Sequence, residues 1–181
     1  DRLRGARERS RSLPRRPRVY FEEWDDPMIS GIKWVSELIE TAGGIEVFPL
    51  LAERKNAKDR IVAPSDVIAA APDIIVGSWC GKKFVPAKVS ARPGFAAIPA
   101  VAAGYLHEIK SALILQPGPA ALTDGLDTLD VVRVCSGSEL PRADKSKVYL
   151  LRTLGNSAHE VWDVADPAKP ALLSTVASGL Q

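Results

Sequence analysis

The sequence has 181 residues, enough to bury a hydrophobic core, and 46% hydrophobic residues is ordinary for a globular protein. No apolar run approaches the roughly 20 residues that a membrane-spanning helix needs, which excludes that class of membrane protein. The net charge of +2 is unevenly distributed, because residues 1–18 contain eight arginines against two acids and carry +6, whereas the remainder carries −4.

The basic segment at residues 1–17 allows two interpretations. Clustered arginines can bind nucleic acid or an acidic membrane surface, or they can belong to the solvated end of a helix. We favour the helix end, so no nucleic-acid partner is expected. No signal peptide is visible from Asp1 onward, so an export signal is expected to have been removed or to lie outside this sequence.

Residues 18–44 predict a strand, a polar loop and a helix. A β-prone run at residues 19–21 is followed by acids, a tryptophan and Pro27, and then by an amphipathic segment that ends at Gly43 and Gly44. In an α/β sheet, ligands bind in the loops that follow the carboxyl ends of strands. An alternative is a solvated turn that caps the next helix. The binding candidates in this loop are Glu22, Glu23, Trp24 and Asp25.

Further β-prone and amphipathic runs alternate up to residue 130. The strand candidates are residues 45–49, 73–77 and 105–109, and the helix candidates are residues 64–71, 86–92 and 119–129. This alternation predicts a small parallel α/β sheet of about four strands, flanked by helices, over residues 18–130. The predicted core residues are Tyr20, Val35, Leu38, Ile74, Ile75 and Leu122.

Two further loops supply candidate binding residues. The first, residues 77–83, follows a buried strand, and its glycines permit close backbone approach beside Trp79 and Cys80. Lys82 suits an anionic ligand group, although solvation at the surface explains it equally well. In the second loop, Gln116 precedes a predicted helix start, where it can contact a polar ligand.

Enzymatic chemistry is poorly supported by the sequence. The chain has two histidines and contains neither an HExxH nor a GxSxG motif. The acids at residues 22–26 could form a glycosidase-like pair, but neighbouring positions on one loop rarely oppose two carboxylates. We therefore expect no catalytic and no metal-binding residues. Cys80 and Cys135 could pair in an oxidising compartment, but free thiols are favoured.

The pattern changes in residues 131–181. Three short β-prone runs, residues 147–153, 159–164 and 171–176, are separated by turn residues and predict a short antiparallel β-meander. The segment at residues 156–170 resembles one repeat of bacterial LVIVD-type β-propellers. A single repeat cannot bury its faces alone, so the join indicates a truncated fusion or an assembly artefact.

Three motifs give the first part of the chain a family resemblance. They are Tyr-Phe-Glu-Glu-Trp-Asp-Asp-Pro at residues 20–27, Gly-Ser-Trp-Cys-Gly at 77–81 and Gln-Pro-Gly-Pro at 116–119. Over about residues 14–130, the chain resembles the C-terminal lobe of ABC-importer substrate-binding proteins of the cobalamin and iron-siderophore type, with the cobalamin branch closest. Such proteins hold their ligand between two α/β lobes joined by one helix, and residues 1–17 would be the end of that helix.

The resemblance also implies roles for the candidate residues. Trp24 and Trp79 would form walls of the ligand pocket, and Asp66 would stand near the position of an acid that docks on the permease. The other implied ligand contacts are Glu22, Glu23, Cys80, Lys82 and Gln116.

The partners implied by the resemblance are a corrinoid or siderophore ligand and an ABC permease. The expected location is periplasmic or otherwise extracytoplasmic at the cell envelope. No cofactor is expected, because the corrinoid would be the transported ligand. The alternative is a non-transport protein-interaction module that uses the β-meander tail.

Overall fold

The structure, a computed structural model, divides the chain into two compact units, Asp1–Glu139 and Leu140–Gln181. It describes residues 2–129, 132, 149–154, 158–163 and 171–177. Among these residues, no helix is both long enough and apolar enough to span a membrane.

Strands and helices alternate along the first unit. The strands are β1 (Arg18–Asp25), β2 (Met28–Ser30), β3 (Ile45–Glu46), β4 (Ile74–Gly77) and β5 (Leu106–Glu108). The α-helices are α1 (Arg2–Arg11), α2 (Lys33–Ala42), α3 (Pro49–Ala52), α4 (Pro64–Ala70), α5 (Pro86–Ser90), α6 (Pro99–Ala103), α7 (Ser111–Ile114) and α8 (Leu126–Thr128). Two 3-10 helices, Ala57–Arg60 and Phe95–Ala97, and a π-helical segment, Ala121–Gly125, lie between them.

β1 is the central strand of the sheet. It pairs in parallel with β4, from Val19 opposite Ile74 to Glu22 opposite Gly77, and β4 pairs in parallel with β5. Along its other edge, β1 pairs in parallel with β3 at Arg18 and then antiparallel with β2. The predicted α/β fold, with a mostly parallel sheet flanked by helices, is therefore confirmed, and β2 is the one antiparallel member among the described strands of this sheet.

The loop predicted at residues 22–25 is wrong. The structure continues β1 to Asp25, turns at Asp26 and Pro27, and returns as β2. Clustered carboxylates repel one another, so at least some must face water or a cationic partner. In the structure, acids in this run are paired with cations from later segments of the chain, so they tolerate a paired strand.

The core is divided between the two faces of the sheet. Alternation along β1 and β4 places Val19 and Ile74 in one cluster, and Tyr20 and Ile75 in the other. α2 covers the first face with an apolar stripe and ends at Gly43, whose φ of 100° is the left-handed conformation that glycine adopts at low cost. The predicted core residues that are buried are Tyr20, Val35, Leu38, Ile74 and Ile75.

Leu122 was also predicted to lie in the core, and this is wrong. Its side chain is 48% exposed. The π-helical segment and α8 turn a different face inward, formed by Ala121, Gly125 and Leu126. The π-helical geometry shifts the residues that reach the core relative to a regular α-helix, and sequence periodicity alone does not reveal this shift.

The second unit contains a three-stranded antiparallel meander. Its strands are β6 (Tyr149–Leu154), β7 (Ala158–Asp163) and β8 (Ala171–Ala177), in the order β6-β7-β8. The observed pairing is that of the predicted meander. The likeness of this segment to a propeller repeat stays a prediction, as do the domain boundaries proposed from sequence.

We expect Gly77→Ala to destabilise the first unit by about 1–3 kcal/mol, because a Cβ there would stand 1.8 Å from the ring of the buried Phe84. Gly118→Ala is the matched control. An added Cβ at Gly118 meets no atom within 4 Å, so its effect should stay within about 0.5 kcal/mol. Urea unfolding of both variants measures the difference. Equal midpoints for the two variants would contradict the close packing of Phe84 on β4.

The buried carboxyl group of Glu46 predicts that the stability of the first unit depends on pH. Its side chain is almost fully buried in β3, and burial raises its pKa to about 8 from an ordinary value of 4.5. Between pH 4.5 and pH 8, the folded state therefore keeps a proton on Glu46 that the unfolded state has released. The stability that depends on this proton is complete below pH 4.5 and is lost as pH rises through 8. Over this range the free energy of unfolding falls by up to about 1.4 kcal/mol per pH unit.

The measurement is urea unfolding between pH 5 and about 8.5, with Glu46→Gln and the control Glu37→Gln. The neutral amide at position 46 should remove most of this slope, whereas the exposed Glu37 should leave it unchanged. If Glu46→Gln has the same pH dependence as the wild type, the carboxyl group of Glu46 is ionised in the folded protein and the prediction fails.

Candidate ligand-binding site

The carboxyl ends of β1, β4 and β5 lie at one edge of the sheet, because these strands run in parallel. An open cavity of about 400 Å³ occurs there. The lining includes Trp79, Lys82, Lys83, Glu108 and Lys110, from the segments that follow β4 and β5. This is the edge at which α/β sheets bind ligands, and Trp79 and Lys82 of the predicted loop at residues 77–83 contribute to it.

The carboxylate of Glu22 lies fully buried at this edge. Arg92, which follows α5, donates two hydrogen bonds to it, from Nη1 to Oε2 at 2.6 Å and from Nη2 to Oε1 at 2.9 Å. Trp79 Nε1 donates to Oε1 at 3.0 Å, and the hydroxyl of Tyr20 donates to Oε2 at 3.2 Å. Each carboxylate oxygen therefore accepts one guanidinium donor and one aromatic donor.

The pKa values of the neighbours reflect this arrangement. Burial, and then the charge of Glu22, raises the pKa of Tyr20 well above its ordinary value, so its hydroxyl stays a donor. Burial alone would lower the pKa of Arg92, but the hydrogen bonds and charge of Glu22 raise it further than burial lowers it. Removing one partner of a buried ion pair costs about 3–5 kcal/mol, because the other charge remains buried.

Glu23, the next residue of β1, forms a second ion pair that is partly buried. Arg60, only 2% exposed, donates to Glu23 from Nη1 at 2.5 Å and from Nη2 at 3.2 Å. The guanidinium also donates to the carbonyl of Ser30, and the Ser30 hydroxyl donates to the carbonyl of Arg60 at 3.1 Å. These bonds attach the β1–β2 hairpin to the 3-10 helix that ends at Arg60.

Lys82 connects the two tryptophans at the edge. Its ammonium lies 4.3 Å from the ring centroid of Trp24 and 5.3 Å from that of Trp79, and it forms an ion pair with Asp25. A cation at these distances is attracted by the negative face of an indole. The two ring centroids therefore lie within about 10 Å of each other, and both are near the same amine.

Glu108 closes the cavity on the side of β5. It accepts a hydrogen bond from the backbone N–H of Phe84 at 3.1 Å and pairs with Lys110 at 2.8 Å. The bond from Lys110 is the main cause that lowers the pKa of Glu108. With Lys82 and Lys83, the rim of the cavity is richer in cations than in anions.

The structure brings together only some of the predicted site residues. Trp24, Trp79 and Lys82 meet at the edge of the sheet, and Glu22 lies beneath them. Trp79 is only 3% exposed, so it contributes part of its ring to the cavity while most of it packs in the core. Glu23 is directed to Arg60.

The remaining predicted residues lie at the surface. Cys80 is an exposed free thiol next to Trp79, whereas Cys135 lies outside the described residues. Gln116 is exposed in the bend after α7. Asp66 is exposed near the start of α4, where its Oδ2 accepts the backbone N–H of Ala63 at 3.1 Å. Whether any of these residues contacts a ligand or a partner stays a prediction.

Sequence reasoning missed Arg92 and Arg60. The sequence contains only an indirect signal for these arginines, because an acidic residue inside an apolar strand needs a cationic partner. With 24 lysines and arginines in the chain, the sequence does not say which cation fills that role. Arg92 stands 70 residues from Glu22, beyond the range of any local pattern.

A second cavity, also of about 400 Å³, lies between α1, α2 and the π-helical segment. Its walls include Leu3, Trp34, Leu38 and the exposed Leu122. Trp34 and Leu38 pack on the face of the sheet opposite to Tyr20 and Trp79. The lining of this cavity comes from residues other than the predicted binding residues, so the site is assigned to the carboxyl-end edge.

Solved structures share the fold of this chain. The periplasmic vitamin B12-binding protein BtuF of Vibrio cholerae is 19% identical with a TM-score of 0.56, and the match covers 76% of this chain and 51% of that one. The periplasmic heme-binding protein RhuT of Roseiflexus sp. RS-1 is 22% identical with a TM-score of 0.60, covering 75% and 52%. Helicobacter pylori Ceue with Ni(II) bound is 16% identical with a TM-score of 0.58, covering 73% and 42%.

These likenesses concern the fold alone, and the chain spans about half the length of the first two structures. No curated protein matches the chain in a sequence comparison. The family model described as periplasmic binding protein matches residues 1–113, which is more than half of the sequence. The chain therefore belongs to the periplasmic binding protein family.

Proposed function

We propose that this chain supplies one lobe of an extracytoplasmic solute-binding protein of an ABC importer. The parent protein captures a corrinoid, or failing that an iron-siderophore, and delivers it to a membrane permease. Family membership supports the general class. Structural neighbours whose names refer to vitamin B12, heme and Ni(II) support a bulky or metal-containing ligand.

The observation that carries the proposal is the pair of indoles at the carboxyl-end edge. The amine of Lys82 lies near the rings of both Trp24 and Trp79, and Lys82 and Trp79 line an open cavity. Large flat ligands need wide apolar walls and a few placed polar groups. In the proposed site, the ring of Trp24 and the accessible part of the largely buried Trp79 supply the apolar surface, and the amine of Lys82 near both supplies a polar group.

The polar groups divide into two sets in this proposal. Lys82, Cys80 and Gln116 are at the surface and contact the ligand. Glu22 is held by Arg92 and supports the site from within, whereas Glu23 is paired with Arg60 and is assigned no ligand contact. Glu22 acts through Trp79, to which it is hydrogen bonded.

Asp66 is the proposed docking residue for the permease. Its carboxylate is exposed at the first turn of α4, where one oxygen accepts the Ala63 N–H. The other oxygen is available in this geometry for an arginine of the permease, which suits a charge-assisted hydrogen bond. This role belongs to the intact two-lobed protein.

The test uses the indole N–H signals of the full chain in proton–nitrogen NMR spectra. The probes are cyanocobalamin and the gallium(III) complex of desferrioxamine B, added up to millimolar concentration. We expect saturable shifts of Trp24 and Trp79 with a Kd no better than high micromolar, because a single lobe supplies one wall only. Trp34 is the internal control, since it donates to the Ile114 carbonyl at 2.9 Å on the other face of the sheet.

Trp24→Ala should weaken the binding of the active probe by at least about tenfold, roughly 1.4 kcal/mol. Trp34→Phe should leave the affinity unchanged. The site assignment fails if a probe binds and Trp24→Ala has no effect. The corrinoid proposal fails if only the siderophore shifts the signals, and the import proposal fails if neither probe produces a saturable shift.

A further inference from the structure

Arg92 lies behind the ligand site rather than in it. Its side chain, 17% exposed, extends from the turn between α5 and the 3-10 helix Phe95–Ala97 to the carboxylate of Glu22. The other donors to this carboxylate are Trp79 and Tyr20, both buried. We propose that Arg92 is a positioning residue for Trp79: its guanidinium fixes the Glu22 carboxylate, and that carboxylate fixes the indole at the wall of the site. This inference rests on the proposed function of the site.

The geometry of the two hydrogen bonds between Arg92 and Glu22 makes the guanidinium suited to this role. Two parallel N–H donors from Arg92 bind the two oxygens of Glu22, and such a fork fixes the plane of a carboxylate as well as its position. Oε1 can then accept from Trp79 Nε1 only along a fixed direction, at 3.0 Å. A lysine at position 92 would supply the positive charge but would not fix the plane of the Glu22 carboxylate.

The fixed indole in turn arranges the rest of the wall. Trp79 packs edge-to-face on Phe84 with ring centroids 5.0 Å apart, so its ring is held from a second direction. Lys82 lies 5.3 Å from the Trp79 centroid and continues to Trp24 and Asp25. Rotation of Trp79 would break the bond to Glu22 and displace the cation that joins the two indoles.

Stability alone does not explain a buried ion pair at this place. Well-packed apolar residues of the same volume are often equally stabilising, because both charges lose their hydration on burial. The surroundings of Arg92 include the ring of Phe95, 5.3 Å from its guanidinium carbon, which would accept an apolar side chain. What an apolar pair lacks is a directed acceptor for the N–H of Trp79.

The chain contains a matched control. Arg60 makes an equally forked contact with Glu23, the next residue of β1, and is 2% exposed. Arg60 also donates a hydrogen bond to the Ser30 carbonyl, and neither Glu23 nor Ser30 is aromatic. Loss of either arginine removes one buried fork from the same strand, but only Arg92 is connected to Trp79.

The test compares Arg92→Lys with Arg60→Lys in the full chain without ligand. We expect the indole signal of Trp79 to shift and its hydrogen exchange to accelerate at least tenfold in Arg92→Lys. In Arg60→Lys the same signal should remain in place with its exchange within about twofold of the wild type. Urea midpoints of both variants show whether the two have lost similar stability.

A second variant keeps the test valid if Arg92→Lys fails to fold. The double substitution Glu22→Gln with Arg92→Met removes both charges together, so no unpaired charge remains buried. Trp79 should again exchange at least tenfold faster than in the wild type. Unchanged exchange of Trp79 in a folded Arg92 variant overturns the inference.

Titration with cyanocobalamin separates this inference from the proposed function. If the wild type binds the probe, Arg92→Lys should bind at least threefold more weakly, and Arg60→Lys should bind as the wild type does. If Trp79 responds to Arg92→Lys but the wild type binds no probe, the positioning inference stands and the proposed ligand fails. Equal affinity of the wild type and Arg92→Lys overturns the role of Arg92 in the site.

Discussion

The carboxyl-end edge of the sheet depends on the buried carboxylate of Glu22. This residue stands opposite Gly77 in the parallel pairing of β1 with β4, and its carbonyl accepts the N–H of Ser78 at 2.9 Å. Because Gly77 has no side chain, the ring of Phe84 packs directly on β4 beside it. A carboxylate in such an apolar place needs a strong cationic partner, and Arg92 meets that need.

Other acids of β1 are also paired with cations. Glu22, Glu23 and Asp25 each pair with a cation, and the three cations come from separate segments of the chain: Arg92, Arg60 and Lys82. Contacts across 37 and 70 residues carry a loop-closure cost that only a formed sheet offsets. The three ion pairs therefore connect separate segments of the chain to one strand.

Local patterns in the sequence predicted the elements that depend on local physics. The apolar runs at residues 19–21 and 74–76 form parallel strands, and α2 ends at the glycine pair as predicted. The hairpin at residues 22–30 was missed, because clustered acids favour a solvated loop until their partners are known. Trp79 was recognised as a candidate wall, but its anchoring by Glu22 and Arg92 depends on contacts that no local pattern contains. The assignment of Trp79 to a ligand site stays a prediction, and the contacts that hold its ring were not predicted.

In the proposed site, an indole wall that is fixed in advance has a consequence for affinity. A side chain already held in its binding orientation loses little conformational entropy when the ligand arrives. Lys82, however, occupies the face of Trp24 at 4.3 Å, and a cation–π contact of this kind is worth about 0.5–2 kcal/mol. A flat ligand that stacks on Trp24 must displace this amine and then offer it an acceptor in place of the ring. Ligands with amide or acidic groups at their periphery meet that condition, whereas a purely apolar macrocycle would lose the contact without replacement.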